Sequence, residues 1–74
     1  MTEYEKQYIL DTASYFAGRI FELNGQARLD CWRRLSNLEE FLQQDNVTFE
    51  EADKKCDEFE REFMNDLLIQ KLAT

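Results

Sequence analysis

Residues 47–68, VTFEEADKKCDEFEREFMNDLL, decide how the rest of the chain is read. Thr48 and Glu51 have the spacing of a capping box and Val47 stands where a hydrophobic staple would, so a helix starts at Phe49. From there Phe49, Ala52, Cys56, Phe59, Phe63 and Leu67 recur at intervals of 3, 4, 3, 4 and 4, which winds them onto one face of an α-helix. Glu50 to Lys54 and Glu51 to Lys55 are i,i+4 pairs in the favourable orientation. The pattern predicts a helix over residues 49–72.

Working back from Thr48, the stretch Gln44-Asp45-Asn46-Val47 reads as a break, and a second helix is predicted over residues 26–44. Ala27, Cys31, Leu35, Leu38 and Leu42 form its apolar face, and Asp30 to Arg34 is a supporting i,i+4 pair. Asn24-Gly25 tolerates positive φ and separates this helix from a first, predicted over residues 3–23, whose core stripe is Ile9, Ala13, Phe16, Ile20 and Leu23. Proline is absent and glycine occurs twice, so little else interrupts helix. The expected fold is all-α, a three-helix bundle made of an antiparallel hairpin plus a third helix, with residues 1–74 forming one domain. The alternative is a hairpin and third helix whose core is completed by a second copy.

Composition narrows function by exclusion. Nine basic against sixteen acidic residues give a net charge of −7, which repels phosphate backbones and anionic lipid surfaces. Direct nucleic-acid or membrane binding is therefore not expected, and no run approaches the ~20 apolar residues of a membrane span. The N-terminus lacks the basic and apolar regions of a secretion signal, so a cytoplasmic setting is expected. There, Cys31 and Cys56 read as two buried thiols, with a disulfide between helices as the minor alternative.

The chain contains no histidine, so the commonest general base and metal ligand is missing, and two isolated cysteines cannot build a zinc site. The segment from Asp45 lacks an acid or Asn at the third position of a calcium loop, Gly at the sixth and Glu at the twelfth, where Cys56 stands. No Gly-rich phosphate loop or nucleophile motif occurs. The reading is of a non-enzyme with no cofactor, no metal and no small-molecule substrate.

What remains is surface. Tyr4, Tyr8 and Tyr15 fall within ~40° of one another on the first helix, away from its core stripe, and tyrosine is a frequent interface anchor. Phe21 on the first helix, with Leu10 and Ala17, and Leu29 with Trp32 on the second, lie ~100° off the core stripes and widen the apolar arcs. A helix touching two neighbours widens its face in the same way, so only exposure separates a contact surface from the bundle interior. On the third helix Asp53, Asp57 and Glu60 form an acidic ridge without an interposed base. Asp53 to Asp57, Glu58 to Glu62 and Glu62 to Asp66 are like-charged i,i+4 pairs.

These features favour a small protein-binding regulator, adaptor or inhibitor that also self-associates as a homodimer. By genomic association alone, short acidic proteins of this kind include host-directed inhibitors of phage and mobile elements. The alternatives are an acidic nucleic-acid mimic, whose ridge fills a cationic groove of another protein, and a structural assembly subunit.

Overall fold

The computed structural model describes residues 1–73. The chain forms α1 (Glu3–Ala17), a 3-10 turn (Ile20–Glu22), α2 (Gly25–Leu42) and α3 (Phe49–Leu72), and the three helices pack against one another as a bundle. The all-α, three-helix expectation holds, and α3 has the predicted bounds.

Contacts between the helices give their directions. Phe16 meets Phe63, and the Cys56 thiol lies beside the Ile9 carbonyl, so α1 and α3 run parallel. Arg34 reaches Glu62 and Asp66, and Lys55 lies over Phe41, so α2 runs antiparallel to both. The result is a rod of 43 × 17 × 16 Å. Its upper end, as used below, carries the α1–α2 connection and the C-terminus of α3.

Fourteen buried apolar side chains from all three helices, the 3-10 turn and the α2–α3 loop form one core. Phe63 is its hub, 1% exposed, edge-on to Phe16 with ring centroids 5.7 Å apart, and with the Arg19 guanidinium 5.5 Å over its ring. Ala27, Leu35 and Phe49, placed on core stripes by spacing, are only half-buried at the core margin. Val47 is buried beside the α3 N-terminus, as a staple residue should be. The Thr48 hydroxyl accepts the Glu51 amide at 3.2 Å, but the Glu51 carboxylate turns to that hydroxyl instead of the Thr48 amide, giving half a capping box. The complete box is at Thr2 and Glu5, where the returning hydrogen bond from the Thr2 amide lowers the Glu5 pKa.

Three further departures from the sequence reading stand out. The first helix ends at Ala17, not residue 23. Gly18, a poor helix former, closes α1, and the chain tightens through Arg19 N–H to Phe16 O into the 3-10 turn. This change of winding still turns Ile20 and Leu23 into the core. Second, Arg34 does not serve Asp30. It is drawn across to α3, where its Nε pairs with Glu62 and its Nη1 with Asp66 at 3.0 Å, while Asp30 pairs with Arg33 at 3.3 Å. The like-charged Glu62 and Asp66 thus share a cation, which offsets the repulsion their spacing implies. Lys55 also leaves its predicted partner Glu51 side and lies 5.5 Å over the Phe41 ring.

Candidate functional site

The α1–α2 connection is held by side chains that arrive from elsewhere. Arg28 donates from Nε to the Leu23 carbonyl at 2.8 Å and from Nη2 to the Phe21 carbonyl at 3.1 Å. Between them, the Glu22 carbonyl accepts from Gln70 Nε2 at 2.6 Å, and Gln70 Oε1 accepts the Asn24 amide at 2.8 Å. Three successive carbonyls outside any α-helix are therefore satisfied by one residue of α2 and one of α3. Gly25 follows with φ 56°, the left-handed value that lets the chain enter α2.

With Ile20 and Leu23 turned inward, Phe21 turns outward and is 68% exposed. The hydrogen bonds that cap the connection also hold the Arg28 guanidinium 5.0 Å over the Phe21 ring. Trp32, one turn further along α2, meets Phe21 edge-on, with centroids 6.0 Å apart and planes at 84°. Leu29, three residues before Trp32, is exposed on the adjoining surface. Phe21 and Trp32, from two segments, thus meet edge to face with Arg28 over the Phe21 ring, and Leu29 extends the exposed apolar surface beside them. Among the described residues no carboxylate pairs with Arg28. An aromatic pair with an arginine is the composition of a contact hot spot, and a fixed Arg28 costs little further ordering on binding.

The tyrosines are not gathered in this way. Tyr4 is 83% exposed and shares only a shallow recess with Gln7, Tyr8 and Asp11. Tyr8 leans toward Phe49 at 6.0 Å, and Tyr15 contacts Phe16 at 5.1 Å beneath Arg19. Leu10 is half-buried against the core and Ala17 is half-buried, so the bundle itself covers that part of the widened α1 face.

On the acidic ridge, Asp57 is exposed and Asp53 and Glu60 are half-buried. Beneath it the Cys56 thiol is pushed up to about 11, first by burial and then by Asp57, Glu60 and Asp53. Burial also raises Cys31. Both thiols stay protonated and free at neutral pH, which leaves no thiolate nucleophile. Charge is divided along the rod. Residues 1–14 and 38–60, the lower half, carry twelve of the sixteen acids and three of the nine bases, a net −9. Residues 15–37 and 61–73, the upper half, carry four acids and six bases, a net +2.

Two features escaped the sequence reading. A cleft of about 270 Å³ opens between α2 and α3, with Arg34, Asn37, Phe41, Lys55, Glu58 and Glu62 in its lining. Its cations are engaged, Arg34 by Glu62 and Asp66 and Lys55 by the Phe41 ring. The position of Phe41 off the Cys31–Leu42 stripe was the available signal. The other is on α3, where Met64, Leu68, Ile69 and Leu72 are 44–78% exposed. Their spacing was legible beside the acids that drew attention. Among the described residues no helix is long and apolar enough to cross a membrane, and no cluster of three or more acids or thiols is arranged for a metal ion. No protein-family model, curated protein or solved structure matches the chain.

Proposed function

We propose that the protein is a non-enzymatic interaction module, a small regulator, adaptor or inhibitor that binds a larger protein through Phe21, Leu29 and Trp32. The observation that carries this reading is the preorganised Phe21–Arg28–Trp32 group, exposed although the chain has a core of its own to fill. Large rings cost most when left in water and contribute most at the desolvated centre of a contact. The buried thiols and absent histidine leave little on which to build catalysis.

The concentration of acid in the lower half supports a second reading, the nucleic-acid mimic, in which Asp53, Asp57 and Glu60 face a cationic groove. The two readings differ in what salt and substitution do. Tagged protein is recovered from its native cells at low and high salt, as wild type, as Phe21→Ala with Trp32→Ala, and as Asp53→Asn with Asp57→Asn and Glu60→Gln. The module reading expects one stoichiometric protein retained at high salt and lost with the aromatic variant, each hot-spot truncation costing about 2 kcal/mol of binding. A partner released by salt and by the acidic-ridge variant, but indifferent to Trp32, would replace it with the mimic.

A further inference from the structure

The outer face of α3 changes character along its length. Residues 49–60 carry six acids and two lysines, whereas residues 61–72 carry two acids and two bases. Those two acids, Glu62 and Asp66, are turned toward α2 and held by Arg34. Facing outward instead are Met64, Leu68 and Leu72, at i, i+4 and i+8, with Ile69 on the flank. The bundle does not use them.

Two properties of this stripe identify its occupant. It is symmetric about Leu68, with a long apolar side chain four residues to either side, so an antiparallel copy of α3 presents the same pattern in reverse and the stripe is its own complement. The charge along the helix permits only that direction. With Leu68 on a two-fold axis, Asp57 lies eleven residues, about 16 Å, below it, so the equivalent acids of two copies are ~33 Å apart, several Debye lengths at physiological salt. A parallel pair would place the two acidic halves side by side.

We propose that the chain pairs with a second copy of itself through this stripe, the two α3 helices antiparallel, Leu68 at the axis and Met64 of one copy against Leu72 of the other. The acidic halves point away from each other. The exposed parts of the four side chains amount to roughly 400 Å² per copy, about half a standard interface side, so the pairing is of the weak, transient kind and is sought at about 10–1000 µM.

Sedimentation equilibrium across that range, at low and at high salt, tests this with the intact chain. The expected result is a monomer–dimer equilibrium that survives high salt and tightens modestly with it, because the contact is apolar and only the long-range repulsion between copies of net charge −7 is screened. Leu68→Glu should abolish it while circular dichroism reports unchanged helicity. Leu68→Cys should cross-link to a dimer under mild oxidation, and Met64→Cys alone, ~12 Å from its own equivalent along antiparallel helices, should not. A monomer at every concentration overturns the proposal, as does association that Leu68→Glu leaves intact. Association weakened by salt would mean upper end to acidic end and overturns it equally, and cross-linking through Met64 but not Leu68 refutes the register.

Discussion

Replacing Gln70 by alanine tests whether the α1–α2 connection is held from α3. Gln70 is half-buried near the end of α3, and its amide makes two hydrogen bonds to backbone that neither α1 nor α2 satisfies, at 2.6 Å to the Glu22 carbonyl and 2.8 Å from the Asn24 amide. A hydrogen bond contributes about 0.5–1.5 kcal/mol net, and alanine's better helix propensity returns a few tenths. Water can reach the released groups, so the expected cost is about 1–2 kcal/mol, read as a lower urea midpoint at unchanged slope. In a domain of this size that corresponds to a fall in Tm of roughly 4–15 °C. Gln70→Glu sharpens the test. At neutral pH its carboxylate can still accept from Asn24 but has nothing to donate to Glu22, and it adds a negative charge at the C-terminal end of a helix. It should cost at least as much as alanine, and should recover toward wild type, relative to alanine, as acid restores a donor. A Gln70→Ala loss under about 0.5 kcal/mol, or a Glu variant as stable as wild type at neutral pH, would show that the connection is set locally.

The two glycines should respond to alanine with opposite signs. Gly18 has ordinary helical φ and room for a methyl, its nearest heavy atoms 3.5 and 3.6 Å from the added carbon, so Gly18→Ala should stabilise by about 0.5–1 kcal/mol. Gly25→Ala has open space but must hold φ 56°, so thermal unfolding should show a loss of about 1 kcal/mol. Cys56 should make the fold sensitive to alkali. Its folded pKa near 11 exceeds the ordinary 9, so the contribution is complete below pH 9 and is lost as pH rises toward 11, about 2–3 kcal/mol in all. Urea midpoints from pH 8 to 10.5 should fall more steeply for wild type than for Cys56→Ala, and parallel curves would refute this. Arg34→Ala should cost about 1 kcal/mol by leaving Glu62 and Asp66 without their shared cation, with Arg34→Lys recovering only part in the same denaturation assay. Burial pulls the Arg34 pKa down, but the Asp66 hydrogen bond and the charges of Glu62, Asp66 and Asp30 outweigh it, so the arginine remains the cation of this cluster throughout.

What the sequence revealed and what it hid divide along one physical line. The extent of α3 and the core stripe from Ala52 to Leu67 follow from spacing and a cap, because those signals act within a few residues. The end of α1 was harder. Ile20 and Leu23 continue the apolar interval through Gly18, so a regular helix and a broken one bury the same residues and periodicity cannot separate them. Gly18 was the signal that could. The Asp30 to Arg34 expectation failed for another reason. A pair at i,i+4 on an exposed surface is worth a few tenths of a kcal/mol, and two carboxylates on a neighbouring helix outbid it.

The same line runs through the candidate site. Phe21, Leu29 and Trp32 could be named from their phase, but that two of them meet, with a fixed arginine over one of the rings, depends on Arg28 and Gln70 capping carbonyls across the connection. Arg28 has two roles here. Its donors hold the turn closed, and the same geometry lays its charge on the Phe21 ring. Stability of the connection and presentation of the aromatic surface are therefore coupled, and a change to the turn should be felt at the surface even when no surface residue is altered. The tyrosine stripe has no such coupling. Its members stand on a regular helix, where each is placed by α1 alone, and Tyr8 and Tyr15 turn toward rings of their own chain. That contrast, rather than aromatic content, ranks Phe21 and Trp32 above Tyr4, Tyr8 and Tyr15 as the surface organised for a partner.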